Sequence, residues 1–121
     1  MLCQFSFENY KSFKDENTLD FYAESITEHK ESLIADKNYD EKILPLAVLY
    51  GPNGGGKSNA LEALYYLFLF VLSQILLSRN INNAIQHDKA VLMGNPVYYK
   101  FDPEYKNLPT KFDILFKTNG K

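Results

Sequence analysis

The feature that most constrains this chain is segment 51–58, whose sequence letters are GPNGGGKS. It fits the pattern G-x-x-x-x-G-K-[ST], in which glycines allow backbone N–H groups to point inward at phosphate oxygens. In that pattern Lys57 is expected to reach the β- and γ-phosphates, and the hydroxyl of Ser58 is expected to bind Mg²⁺. The helix that begins here would direct the positive end of its dipole at the same phosphates.

The residues on both sides of this loop favour a strand, a glycine loop and a helix in succession. Residues 44–50 are mostly apolar and are predicted to form the third strand, which would be buried. A helix is predicted from about Gly56 to Ser78, where strong helix formers follow the glycines. Because the motif requires this arrangement, a chance match to the pattern is the weaker interpretation.

The stretch from Ala60 to Leu77 is nearly all apolar, so its composition alone would also suit a membrane span. It is slightly shorter than the roughly 20 residues that a span needs, and Glu62 places a carboxylate near its start. We therefore predict a buried helix that is covered on several sides, and no membrane partner.

The length of 121 residues allows one domain at most, and the expected location is the cytoplasm. The net charge of −2 gives no global basic field for nucleic acid. Cys3 is the single cysteine, which fits a reducing compartment, and the N-terminus lacks the pattern of a signal peptide. His29 and His87 stand alone, so no metal is predicted beyond the Mg²⁺ that accompanies ATP.

Further strands are predicted before and after this unit. Cys3, Phe5 and Phe7 alternate with polar residues, which predicts a first strand with one solvent-exposed face. Later elements are a second strand at 18–23 that forms a hairpin with the first, a polar loop at 24–42, a short helix or irregular connection at 84–93, a turn at 94–96, a strand at 97–101, a loop at 102–109 and a strand at 110–117.

The last residues predict a hairpin that this sequence does not complete. Asn119 and Gly120 form the strongest two-residue hairpin signal, and only Lys121 follows them. We expect the strand at 110–117 to lack a neighbour, which would leave its backbone groups unpaired. This pattern indicates the N-terminal part of a longer protein, and the alternative is a natural small protein with a frayed end.

Three segments together resemble a known family: 7–13 (FENYKSF), the apolar run 46–50 and the loop 51–59. They are similar to the N-terminal lobe of ABC-like ATPases of the SMC/RecF/OLD type. The closer similarity is to bacterial AAA-family ATPases with an ABC-type head, often found in phage-defence and abortive-infection operons. Segments 101–104 and 109–116 also resemble that group, so the resemblance covers nearly the whole chain.

The resemblance implies an α/β fold, namely lobe I of an ABC head, in which an antiparallel β-hairpin flanks the P-loop strand and helix. It implies ATP and Mg²⁺ as cofactors, a homodimer of heads around two nucleotides, and an effector protein or nucleic acid as a further partner. Lys11 and Ser12 would lie beside the nucleotide, with a solvated turn as the alternative. Asn53 would face the γ-phosphate or the attacking water, with a turn-forming role as the alternative. The other implied cofactor-binding residues are Gly54, Gly55, Gly56, Lys57, Ser58 and Asn59, with Ser58 as the metal ligand.

The chain departs from the family pattern at two places. Gly55 stands where many members have a serine, and neither a signature motif nor a Walker B strand ending in Asp-Glu is present in these 121 residues. The segment most similar to a Walker B strand is 97–102, but Pro103 follows it where a carboxylate is required. The predicted function is therefore the ATP-binding segment of an ABC/SMC-like ATPase in a phage-defence or DNA-related system, without catalytic residues of its own. The alternative is a non-hydrolysing interaction or regulatory module that docks through its apolar helix and edge strand.

Overall fold

A computed structural model of the chain describes residues 1–23, 30–35, 42–78 and 97–118. The elements of that part are the strands β1 (Leu2–Glu8), β2 (Asn17–Asp20), β3 (Ile34–Ala35), β4 (Lys42–Ile43) and β5 (Lys111–Phe116), the helix α1 (Lys57–Ser78), and 3₁₀ turns at Lys30–Ser32 and Pro103–Asn107. The predictions for 84–93, for the turn at 94–96 and for the hairpin turn at 119–120 lie outside the described residues.

The N-terminal strand β1 is the central strand of a three-stranded sheet with the order β2-β1-β5. It pairs antiparallel with β2, with Phe5 opposite Leu19, which confirms the predicted first hairpin. It also pairs antiparallel with β5, with Phe7 opposite Phe112. The prediction that the last strand lacks a neighbour is therefore wrong, because β1 supplies the main-chain partners for one of its edges.

The core lies between one face of this sheet and one face of α1. Phe5 and Phe7 are buried on β1, as the predicted alternation requires. They pack with Tyr10 and with Ala60 and Ala63 of the helix, whose small side chains allow a close approach. Aromatic ring contacts join the strands, and the rings of Phe5 and Phe112 stack with centroids 6.3 Å apart.

The helix α1 confirms the predicted helix, but most of its apolar surface is exposed. Leu61, Tyr65 and Phe68 are 58%, 61% and 59% exposed. The buried side chains of the described part of α1 are Ala60, Ala63 and Ser73. Within the described residues, the helix is therefore covered on one side and not on several. The stretch Lys57–Ile75 meets the length and composition of a membrane span, as core helices of soluble proteins also do, so this is weak evidence for a membrane.

The third predicted strand is wrong, because β4 ends at Ile43 and residues 44–50 form no strand. Leu46, Val48 and Tyr50 are exposed. A strand needs main-chain partners, and among the described residues no main-chain hydrogen bond joins 45–50 to another segment. Among the described residues β4 pairs with β3, which lies within the predicted polar loop.

The strand predicted at 97–101 is also not formed. Its main-chain groups instead bond to both main-chain groups of Lys11. The N–H of Lys11 donates to the carbonyl of Val97, and the N–H of Lys100 donates to the carbonyl of Lys11. The loop predicted at 102–109 contains a 3₁₀ turn, Pro103–Asn107, which begins where the side chain of Asp102 accepts a hydrogen bond from the N–H of Glu104.

Candidate functional site

The glycine loop adopts a conformation that glycine reaches easily and other residues rarely do. The φ angles are +83° at Gly54 and +82° at Gly56. The N–H of Gly55 donates to the carbonyl of Pro52 at 3.1 Å, which closes a turn. The helix then begins at Lys57, as the motif requires. The backbone geometry therefore explains the glycines at positions 54 and 56.

The ammonium of Lys57 folds back over this loop. Its Nζ donates to the carbonyl oxygens of Gly51 and Pro52, both at 2.8 Å. Asn53 lies in the turn of the loop, and both Asn53 and Ser58 are exposed. A phosphate oxygen could replace either carbonyl as the acceptor for this ammonium, since both are hydrogen-bond acceptors of similar reach.

The turn that follows β1 packs directly against the loop. A Cβ placed on Gly56 would lie 2.8 Å from Cζ of Phe13 and 3.1 Å from Oγ of Ser12. The Oγ of Ser12 accepts a hydrogen bond from Nδ2 of Asn59 at 2.8 Å. The structure therefore brings Ser12 and Phe13 together with Gly56 and Asn59, which are more than 40 residues away in the sequence.

Lys11 belongs to this turn, but its ammonium is directed to the helix. It forms an ion pair with the carboxylate of Glu62 on α1. It also lies over the ring of Tyr10, 5.7 Å from the centroid. A contact between Lys11 and a nucleotide would require the ammonium to exchange this carboxylate for a phosphate.

Asn9 fixes the turn from its other side; it belongs to segment 7–13, which carries the resemblance, but the sequence predicted no role for its side chain. The residue is 1% exposed and has a φ of +52°, a region that Asn tolerates better than most residues. Its Nδ2 donates to the carbonyls of Tyr105 and Leu108 at 3.1 and 2.9 Å, and its Oδ1 accepts from the N–H of Tyr99 at 2.9 Å. These partners lie 90 to 99 residues away in the sequence, so no local pattern could indicate them.

Two phenols near the turn, those of Tyr10 and Tyr66, have pKa values raised above the ordinary value of 10.0. Burial raises the pKa of Tyr10, and the nearby carboxylate of Glu62 and the hydroxyl of Tyr66 raise it further. Burial also raises the pKa of Tyr66. Both phenols therefore stay protonated at neutral pH. In the part of the chain that the structure describes, no group of three or more His, Cys, Asp or Glu residues could hold a metal ion.

A small cavity of about 220 Å³ adjoins the loop. Phe13 and Gly56 form part of its wall, and β2 closes another side with Thr18 and Leu19. The loop is therefore open beside the sheet as well as toward solvent.

A glycine loop of this sequence and geometry, followed at once by a long helix, defines the class of P-loop NTPases. Residues 46–121 match the family described as "AAA domain, putative AbiEii toxin, Type IV TA system". This match covers more than half of the chain, so the chain belongs to that family of AAA domains. The curated proteins and the solved structures that were compared with it gave no match.

Membership of this family confirms several predictions at a coarser level. The domain is of the P-loop NTPase α/β class, and the small antiparallel sheets and the long helix are part of such a fold. Nucleotide binding, usually with Mg²⁺, belongs to this class, and the toxin context is of the abortive-infection type. The finer assignment to ABC/SMC/RecF/OLD heads stays a prediction.

Proposed function

We propose that this chain is the ATP-binding part of an ABC/SMC-like ATPase head that serves a bacterial phage-defence system in the cytoplasm. The observation that carries the proposal is the packing of the turn at 9–13 on the phosphate loop. Phe13 contacts Gly56, and Ser12 accepts a hydrogen bond from Asn59. The resemblance implies that this segment lies beside the nucleotide, and its packing on the phosphate loop supports the proposal.

The roles of the loop residues follow from their geometry. The backbone N–H groups of 54–58 are assigned to the phosphate oxygens, because the glycines allow them to turn inward. Lys57 would exchange one carbonyl acceptor for a phosphate oxygen, and Ser58 would supply a hydroxyl to Mg²⁺. Asn53 is assigned to the γ-phosphate side of the loop. Direct contacts of Lys11, Ser12 and Asn59 with the nucleotide stay predictions.

On this proposal the chain binds ATP without turning it over alone. Phosphoryl transfer requires a group that orients the attacking water and further positive charge on the γ-phosphate. We assign these groups to a Walker B segment of the full-length protein and to the second head of a homodimer. An effector protein or a nucleic acid would then respond to the closure of the two heads.

The test is an equilibrium titration of labelled ATP with Mg²⁺ against the chain, its Lys57→Ala variant and a Lys106→Ala control. Lys106 is an exposed lysine of the 3₁₀ turn and lies outside the loop. Because charged hydrogen bonds are worth about 1.5–3 kcal/mol, Lys57→Ala should weaken binding about tenfold or more. The control should bind as the unaltered chain does. Equal affinity in all three proteins would contradict the role of Lys57.

A second candidate is a non-hydrolysing interaction or regulatory module. The observation that favours it is an apolar groove of about 570 Å³ between α1 and β5, with Leu61, Phe68 and Ile114 in its wall. The gene sequence downstream of residue 121 separates the two candidates. An apolar strand that ends in Asp-Glu would support the ATPase, and its absence would favour the module.

A further inference from the structure

The turn after β1 contacts the segment 97–110 on one side and the phosphate loop on the other. We infer that residues 9–13, here called the brace, hold the phosphate loop in its binding conformation, and that Ser12 acts in the brace as a positioning residue through Asn59. This inference rests on the proposed nucleotide binding. It assigns Ser12 an indirect role, in place of a direct contact with the nucleotide.

The brace is anchored on the side that faces away from the loop. Asn9 is buried, and its side-chain amide bonds to three main-chain groups in the segment 99–108. Thr110 adds a further bond, from its Oγ1 to the carbonyl of Asn9 at 2.9 Å. Both main-chain groups of Lys11 bond to residues 97–100, at 2.8 and 3.0 Å. A turn with so many partners cannot shift without breaking several hydrogen bonds at once.

On the other side, the brace touches the loop at two adjacent residues. The ring of Phe13 is held edge-on against the ring of Phe7, with centroids 4.9 Å apart, so its place is set by the core. That ring occupies the space beside Gly56 where a Cβ would otherwise stand. Ser12 lies next to it, with its Oγ bonded to Nδ2 of Asn59. The loop and the first turn of α1 are therefore both held by the brace.

This geometry predicts how the hydroxyl of Ser12 affects binding. The hydroxyl orients Asn59, which lies in the first turn of α1, where the backbone N–H groups face the phosphates. If the bond to Asn59 is lost, the loop loses part of its fixed shape for any ligand that binds through phosphates. A hydroxyl that touched the ribose or base would instead affect only ligands that carry a nucleoside.

The experiment compares Ser12→Ala with the matched control Ser6→Ala. Ser6 also has a hydroxyl in a 2.8 Å side-chain hydrogen bond, but its partner is Thr18 in the sheet. Titrations of ATP with Mg²⁺ and of inorganic triphosphate with Mg²⁺ give two affinities for each protein. Ser12→Ala should weaken both by the same factor, about two- to tenfold, and Ser6→Ala should change neither. In an Asn59→Ala background, Ser12→Ala should cause no further loss.

Three results would overturn the inference. Weaker ATP binding with unchanged triphosphate binding would show that the hydroxyl touches the nucleoside. Affinities of Ser12→Ala equal to those of Ser6→Ala would show that the bond to Asn59 does not matter. If the unaltered chain binds neither ligand and Lys57→Ala behaves the same, the proposed nucleotide site is refuted, and the inference with it.

Discussion

Replacing Gly56 by alanine should destabilise the chain more than the same replacement at Gly54. The two glycines have nearly the same φ, +82° and +83°. A Cβ on Gly54 would meet nothing within 4 Å, whereas one on Gly56 would lie 2.8 Å from the ring of Phe13. The two variants therefore share the backbone cost of a positive φ and differ in the packing against the brace.

The expected free energies follow from these two contributions. A side chain at positive φ costs about 1–2 kcal/mol, and this applies at both positions. The overlap at Gly56 adds about 1–3 kcal/mol, as in an overpacked core, because the ring of Phe13 is held against Phe7 and yields little. The free energy of unfolding should fall by about 1–2 kcal/mol in Gly54→Ala and by about 2–5 kcal/mol in Gly56→Ala.

The assay is urea unfolding followed by far-UV circular dichroism. With a slope of about 1–3 kcal/mol/M, the midpoints of the two variants should differ by about 1 M. Adding Phe13→Leu should recover part of the loss in Gly56→Ala and none of it in Gly54→Ala, since only the first variant carries the overlap. Identical midpoints for the two single variants would refute the packing of Phe13 on Gly56.

Three further outcomes are expected. Burial raises the folded-state pKa of Tyr10 above its ordinary value of 10.0. The contribution of this shift to stability is therefore complete below pH 10.0 and is lost as the pH rises through the folded-state pKa. The fall in the thermal midpoint between about pH 8 and about pH 11 should be smaller in Tyr10→Phe than in the unaltered chain, and equal falls would contradict this. Asn9→Ala should lower the free energy of unfolding by about 3–5 kcal/mol, because buried main-chain groups lose their partners and alanine must adopt a positive φ. In urea unfolding, Asn9→Gly should recover only the share of this loss that comes from the positive φ. A loss below about 1 kcal/mol in Asn9→Ala would contradict the anchoring role. The purified chain with Mg²⁺ and ATP should release no phosphate above background, and sustained turnover that disappears in Lys57→Ala would show that a complete catalytic site is present.

Elements with a strong local pattern could be predicted from the sequence. The alternation at Cys3, Phe5 and Phe7 fixed which face of β1 is buried, and the strand is found there. The glycine loop and the residues after it predicted the start of α1 at about Gly56, within one residue of the observed start at Lys57, because glycine geometry and helix propensity are both local properties. The packing of residues 11–13 near the loop followed from the resemblance and not from the pattern of residues.

The predictions that were wrong or missing concern segments whose main-chain partners are distant in the sequence. The apolar run 46–50 shows only that these side chains favour burial, and it does not supply the main-chain partners that a strand requires. The segment 97–101 finds its partners on Lys11, so its N–H and C=O groups are satisfied without a strand. Asn9 belongs to segment 7–13, which carries the resemblance, but its anchoring role arises only when the segment 99–110 folds against it.

The central position of β1 has a consequence for synthesis on the ribosome. One neighbour, β2, follows within a few residues, but the other, β5, begins at Lys111. At about 5–20 residues per second, the strand that is made first waits roughly 5–20 s for its second partner. During that time one edge of an aromatic-rich strand has no intramolecular neighbour, so the nascent chain is most open to wrong pairing or chaperone capture before Lys111–Phe116 emerges.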